Sequence, residues 1–391
     1  MAMSMVERSG RTVRTTAAPL RAMPRAQPQV VHLGTTLVRD TRRLYHSRGA
    51  RVVRRLSTKL GWMLGAARRV VRALRLGLIG LSWVVVAALV VVSAFHLGHR
   101  EPWIFMVALI AVTPSIYMLA WATTSIGLFF HRRALTVLSI VLVVLQLWWV
   151  VPDFDPISHL ASPVPGEVQF RLFDANVSQS NRNLTEIAGE IRRDKPQVVT
   201  MEELTPVSLR SLQFTHVMDD YRYHLVRAAT GSYGMALWSV YPLADAIEWY
   251  AEGHPELRAW LELPGGGHLR LDVLHTTAPY GSGEPGVWAR QMAAIRSELA
   301  HEPRPLIAVG DLNATWYDWH FQALLGLGLR DAAVVAGQGW RMTWPRDQQP
   351  VVPYLRIDHV LLSKGVSLQS YAVGGGKGSD HHPLLVRLGV R

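Results

Sequence analysis

Apolar and polar positions along the chain fall into three regimes. From Leu76 to Val151 the sequence is dominated by three apolar runs, Leu76 to Leu97, Trp103 to Phe130 and Ala134 to Val151, and none of them contains Asp, Glu, Lys or Arg. At 1.5 Å of rise per residue, roughly 20 such residues match the hydrocarbon layer of a bilayer, so the runs predict three transmembrane helices. Pro114 is expected to kink the second, and Trp148 and Trp149 stand where an aromatic belt belongs. After Val168 the pattern changes to short β-like runs: VQFRLFDANV, QVVTMEEL, GMALWSV, HLRLDVLHTT, PLIAVGDLN and RIDHVLLS. Helical stretches intervene at Leu184 to Arg193, Val207 to Leu212, Val287 to Ala300 and His320 to Leu325. Strands alternating with helices, with a hairpin expected around Pro264 to Gly267, indicate an α/β or α+β layered sandwich. Residues 152–167, rich in proline and small side chains, read as a linker.

Charge divides the chain along the same lines. The net charge is +12, but residues 1–75 alone hold 17 basic residues against 2 acidic ones. From Pro152 onward 21 basic residues face 26 acidic ones, so the globular region is mildly acidic and the overall excess is no sign of nucleic-acid binding. The first stretch, with Arg8, Arg11, Arg14, Arg21 and Arg25 among Ala, Pro, Thr and Ser, reads as disordered. Arg51, Arg54, Arg55, Arg68, Arg69, Arg72 and Arg75 recur at near-helical spacing and suggest a basic amphipathic helix on an anionic bilayer surface. Basic segments tend to stay cytoplasmic. The amino terminus and the His131-Arg132-Arg133 turn are therefore expected inside, and the His99-Arg100-Glu101 turn and everything after Val151 outside. Zero cysteines exclude disulfides and thiolate-bound zinc, leaving carboxylate, amide and imidazole groups to hold any metal.

Such groups recur where the β-like runs end: Asn176 in DANV, Glu203 in MEEL, His275 in LHTT, Asp311 and Asn313 in GDLN, Asp358 in RIDH, and Asp380 with His381 in SDHHP. Phosphoester cleavage needs this mixture, namely hard oxygen ligands for a divalent cation, a carboxylate to direct water, and imidazoles or amides to stabilise developing charge.

The order and wording of these motifs resemble the endonuclease/exonuclease/phosphatase superfamily over roughly Val168 to Leu388. GDLN at Gly310 to Asn313, RIDH at Arg356 to His359 and SDHHP at Ser379 to Pro383 carry the resemblance, together with PQVVTMEEL at Pro196 to Leu204 and TWP at Thr343 to Pro345. It implies a four-layer, DNase I-like sandwich over residues 168–391, behind a transmembrane module at residues 76–151. It also implies a Mg²⁺-dependent hydrolase, with Mn²⁺ or Ca²⁺ as alternatives. Glu203 becomes the principal metal ligand, aided by Asn176 and Asp380. Asp311 orients or deprotonates water, Asn313 positions it, His275 and His381 contact the phosphate, and Asp358 orients His381. Glu202 is expected to be exposed or hydrogen-bonded, since neighbouring strand residues point to opposite faces. His359 and His382 are expected in supporting roles, and Arg290 and Gln291 either brace the His275 loop or face solvent.

The substrate stays open between nucleic acid and a phospholipid or lipid-linked phosphate, and no obligatory protein partner is implied beside the bilayer. A non-catalytic envelope-binding module on the same fold is the alternative of another class. A transporter fits poorly, because the apolar runs carry no formal charge to mark an ion path.

Overall fold

The computed structural model describes residues 35–279, 285–301, 305–346 and 352–391, with side chains from residue 50 onward. The basic stretch from Arg8 to Arg25 lies outside the described residues. The chain divides into two units, Met1–Leu74 and Arg75–Arg391. Helix α1 (Thr35–Leu97) begins in the first unit, where Arg51, Arg54 and Arg55 stand among exposed Val52, Leu56 and Trp62. The expected basic helix and the first apolar run are thus one element. No proline interrupts these 63 residues, and glycines inside a helix cost only about 1 kcal/mol each.

The second apolar run is broken into α2 (Ile104–Ala111), α3 (Thr113–Ile116) and α4 (Met118–Phe129), with a 75° bend at the break. Pro114 accounts for it: proline lacks an N–H for the helical ladder, and the chain leaves the helical region at Val112, φ −99° and ψ 26°. Gln146 on α5 (Arg133–Val150) donates from Nε2 to the Pro114 carbonyl at 2.9 Å, and its Oε1 accepts from Trp121 Nε1 at 2.8 Å. Helices α1 and α5 are each long and apolar enough to cross a membrane. The bent α2–α4 segment makes a third only if it counts as one span, so the expectation of three becomes two, or up to three. Val86, Leu89, Met106, Ile110, Tyr117, Leu135 and Leu142 pack these helices together.

The remaining elements, in chain order, are β1 (Val168–Asn176), α6 (Thr185–Asp194), β2 (Val198–Glu202), α7 (Pro206–Phe214), β3 (Tyr223–Arg227), β4 (Met235–Ser239), β5 (Leu243–Ala251), β6 (His254–Leu263), β7 (Gly267–Val273), α8 (Pro285–Ala300), β8 (Leu306–Asp311), α9 (Trp319–Leu325), β9 (Arg330–Asp331), α10 (Ala332–Val335), β10 (Asp358–Leu362), β11 (Val366–Val373) and β12 (Leu384–Val390). They form two six-stranded sheets, in the orders β11-β12-β1-β2-β4-β3 and β5-β6-β7-β8-β10-β9. Alternate residues such as Phe170, Leu172 and Val198 in one sheet, and Leu269, Leu271 and Val309 in the other, fill the space between them. Ile187 and Ile191 of α6 cover the outside of the first sheet, and Trp288, Met292 and Ile295 of α8 the outside of the second. Helix, sheet, sheet, helix is the expected four-layer order.

Register decides where the site forms. Strand β1 runs parallel to β2 and β7 parallel to β8, while β10 returns antiparallel with Asp358 opposite Asp311. Strand β12 returns antiparallel to β1 with Leu384 opposite Asp174, which brings Asp380 and His381 to the same rim. Residues 152–167 are packed against this domain rather than free of it. Buried Asp153 pairs with Arg356, which also pairs with Asp331, and Tyr317 donates to Asp153 Oδ2 at 2.9 Å. Further on, His159 N donates to the Val335 carbonyl at 2.8 Å and Ala161 N to that of Leu368 at 2.7 Å.

Removing one member of a buried ion-pair network strands the others, at a cost of about 3–5 kcal/mol. Thermal unfolding of Asp153→Ala should therefore show a destabilisation of that order. Lys377→Ala, which breaks the exposed pair with Glu186, should change stability by no more than about 1 kcal/mol. Equal effects of the two would show that Asp153 holds nothing together.

Candidate active site

Even-numbered residues of β1 and β2 face the inter-sheet space, as do odd-numbered residues of β7 and β8 and even-numbered ones of β10. Continued to the strand ends, that alternation turns Asn176, His275, Asp311 and Asp358 toward one another. Glu202 shares this inward parity and is fully buried beside Asp174, so of the two expectations, exposed or hydrogen-bonded, the first is corrected and the second stands. Glu203 reaches the site by another route. Its φ of +56° ends the strand in left-handed backbone, so its side chain turns back instead of following the outward alternation. Asn176 Nδ2 then donates to Glu203 Oε1 at 3.3 Å and to Asp311 Oδ2 at 3.0 Å, and Gln179 N donates to Glu203 Oε2 at 2.7 Å.

All eight sequence-predicted site residues lie in or against one cleft of about 530 Å³. Glu203, His275, Asp311, Asn313, Asp380 and His381 line it, with Asn176 and Asp358 directly behind. Asp311 occupies the centre, its Oδ2 lying 3.8 Å from both His275 Nε2 and His381 Nε2. Asn313, at φ +46°, donates from its side chain to the Thr276 carbonyl at 2.9 Å, and its backbone N–H caps Asp311 Oδ1 at 2.9 Å. Asp380 accepts from Trp344 Nε1 at 3.3 Å on the far wall. Gly310 has no room for a side chain, since a Cβ there would meet the Leu274 carbonyl at 2.1 Å.

The two imidazoles are set to opposite protonation states. His381 Nδ1 lies 3.0 Å from both oxygens of Asp358. Burial alone would strip its proton, but Asp358 and Asp311 outweigh that cost and push its pKa up to about 10. Burial pulls His275 down to about 4, helped by repulsion from protonated His381. Asp311 is pushed up to about 8, first by burial and then by Asp358. A carboxylate driven to hold its proton among further carboxylates marks excess negative charge. With protonated His381 engaged by Asp358, the oxygens open to a cation are those of Glu203 and Asp380 at the cleft edge and of Asp311 beside them. This set of hard donors fits a divalent cation, which would remove the excess charge.

Several contributing groups escaped the sequence reading. Buried Glu256 accepts the His275 backbone N–H at 2.7 Å, and the His254 ring packs edge-on against that of His275 at 5.2 Å. Both start β6, where attention to strand ends passes them by, although HPE beside the His275 strand was a usable signal. Trp344, of the TWP motif, lines the cleft too, as do Gln179 and the Gly231-Ser232-Tyr233 turn, whose sequence carries no such mark. Gln291, buried on α8, accepts from Thr277 N at 2.8 Å and so braces the His275 loop, while Arg290 pairs with Glu252 at the surface. His359 bonds Asp331 and the Ala314 carbonyl, and His382 the Gly374 carbonyl, which makes both supports.

A folded-state pKa raised above the unfolded value of about 6.5 means that the His381 ion pair stabilises fully below that pH. The contribution is then lost as pH rises through about 10. Imidazole NMR of metal-free protein should find His381 titrating at about 10, and Asp358→Asn should return it to about 6.5 or lower. An unchanged titration in that variant would remove Asp358 from its orienting role.

The family model for the endonuclease/exonuclease/phosphatase family matches residues 169–381. Among solved structures, the chain is similar to D. rerio TDP2 humanized by 14 mutations, at 18% identity and a TM-score of 0.48, over 56% of this chain and 98% of that one. It is also similar to the mannosyl-6-phosphatase of Bacteroides thetaiotaomicron VPI-5482, at 13% identity and a TM-score of 0.45, over 56% and 98%. A third likeness is to an endonuclease/exonuclease/phosphatase of Beutenbergia cavernae DSM 12333, at 16% identity and a TM-score of 0.45, over 57% and 72%. No curated protein sequence matches the chain. With more than half of its length matched and the motif residues gathered in one cleft, the chain belongs to the endonuclease/exonuclease/phosphatase family and is a phosphoester hydrolase.

Proposed function

We propose that this protein is a membrane-anchored, divalent-metal-dependent phosphoesterase that cleaves P–O bonds with activated water on the extracytoplasmic side of a membrane. The single observation that carries the reading is the gathering of Asn176, Glu203, His275, Asp311, Asn313, Asp358, Asp380 and His381 at one cleft, from strand ends spread over some two hundred residues.

Glu203 would be the principal metal ligand, assisted by the Asn176 amide and the Asp380 carboxylate. Bound there, Mg²⁺ supplies Lewis-acid stabilisation of charge on the phosphoryl oxygens. Asp311, which would lose its own proton once a cation offsets the neighbouring carboxylates, lies within reach of both imidazoles and takes the proton of the attacking water, while Asn313 fixes where that water sits. His381, kept protonated by Asp358, neutralises charge on the phosphoryl group. His275, kept neutral by burial, presents Nε2 to the cleft 3.8 Å from Asp311 Oδ2 and can meet the phosphoryl group without adding charge. Its backbone is pinned by Glu256, so the ring is oriented before substrate arrives.

A non-catalytic binding module on the same scaffold has no use for a buried Asp–His pair and a central Asp311, each costly to bury. Anchoring rests on α1, α5 and the bent α2–α4 segment. The positive-inside reading puts the Arg132–Arg133 turn in the cytoplasm.

With the full chain in detergent, hydrolysis of bis(4-nitrophenyl) phosphate should require Mg²⁺ and stop with EDTA. Asp311→Asn should lower kcat by about 10³-fold without loss of fold, in line with removal of a general base. Glu203→Gln should raise the Mg²⁺ concentration for half-maximal rate by about 10-fold or more. Activity that survives both chelation and Asp311→Asn would exclude this mechanism. On intact cells, added protease should remove the domain after Val151, and protection of it while an external control is digested would reverse the topology.

A further inference from the structure

The contacts between the apolar helices and the catalytic domain fall at the end of the sheets that carries the active site. The His99 ring stacks on Trp319 at 3.9 Å between centroids, and Glu101 accepts the Trp319 backbone N–H at 2.9 Å. Trp319 opens α9, eight residues beyond Asp311. Asp153, three residues past the end of α5, pairs with Arg356, two residues before Asp358. Strand β1 reaches the rim only at its last residue, Asn176. The chain leaving α5 must therefore travel back along the whole domain before β1 can start, which is why residues 152–167 are strapped to its side. The membrane helices leave the domain from its catalytic end.

An exposed aromatic and basic pair sits at the same place. Gly339 packs so closely on Asp153 that a Cβ would meet the Asp153 carbonyl at 1.8 Å. The next residue, Trp340, is 51% exposed, and the Arg341 guanidinium stands over its ring at 4.6 Å. An exposed Trp with an Arg beside it, directly after a contact with the chain leaving α5, suits the headgroup layer, where an indole ring is half apolar and the cation meets phosphates. The cleft itself has no Lys or Arg in its lining among the described residues, and residues 280–284 and 347–351 contain none. A basic track for a polynucleotide backbone is missing where it would be needed.

We infer that the substrate is a phosphoester carried by a lipid of the same bilayer that the helices cross, its headgroup entering the cleft from the membrane side beside Trp340 and Arg341. The inference rests on the phosphoesterase reading above and adds the substrate class to it. A headgroup delivered in the membrane plane needs no long cationic groove, because the bilayer holds it at high local concentration.

The test uses the full chain reconstituted in phosphatidylcholine vesicles doped with phosphatidylglycerol as a diester probe or phosphatidic acid as a monoester probe. Soluble bis(4-nitrophenyl) phosphate and single-stranded DNA are run in parallel. At equal accessible phosphate, one of the lipids should be turned over at least about 10-fold faster than DNA. The double variant Trp340→Ala/Arg341→Ala should lose about 10-fold on the lipid and leave the rate on bis(4-nitrophenyl) phosphate unchanged. Hydrolysis of the soluble ester with neither lipid attacked overturns the inference and leaves the phosphoesterase reading standing. So does a double variant that slows both substrates alike. Absence of any hydrolysis sensitive to Asp311→Asn takes down both.

Discussion

Carboxylates crowd together at the rim of the two sheets, and much of the structure answers that crowding. Asp174, Glu202, Asp311 and Asp358 are all buried, and Glu203 and Asp380 stand at the cleft edge. Two like charges 4 Å apart repel by about 4 kcal/mol at an effective dielectric of 20, so such a group cannot stay fully ionised without a counter-charge. Protonated His381 supplies one positive charge. The remainder appears as displaced protons: burial pushes Asp174 up to about 7 and Glu202 well above the carboxylate range, the latter raised further by Asp174. Burial keeps His275 neutral, the neighbouring carboxylates keep His381 protonated, and the surplus of carboxylates that remains suits a dication.

The scaffold around that charge is apolar and tightly registered. Parallel pairing of β1 with β2 and of β7 with β8 sends four strand ends to one rim, and the antiparallel returns of β10 and β12 add Asp358 and His381. A slip of one residue in any of these strands would turn its site residue to the outer face. Arg356 links this rim to the chain leaving the apolar helices, because its guanidinium joins Asp331 beside β10 to Asp153 beyond α5. The catalytic strand and the apolar helices therefore share a buried ionic joint.

Interior strands were legible in sequence and edges were not. The runs ending in Asn176, Glu203, His275, Asp311 and beginning at Asp358 are central β1, β2, β7, β8 and β10, whose buried positions give long apolar signals. All four sheet-edge strands, β3, β5, β9 and β11, went unread. YHLVR and LADAIEWYA show why, since an edge strand mixes polar groups into its pattern and carries less of the core. Interior β12 was also passed over. Site residues were legible because their order along the chain carries the family resemblance. The choice between Glu202 and Glu203 was not open to alternation alone, because the left-handed turn at Glu203 breaks the period on which that argument relies. Nor does sequence spacing disclose that His99, Glu101 and Asp153 dock on the catalytic rim, a contact made between segments more than two hundred residues apart.

The central claim is that these separated side chains enclose one cation. Crystals of the protein soaked in Mn²⁺ and measured at its absorption edge test it directly. An anomalous peak is expected in the cleft within about 2.0–2.5 Å of a Glu203 carboxylate oxygen, and close to Asp311. A peak confined to the protein surface, or an empty cleft at saturating Mn²⁺, would contradict it.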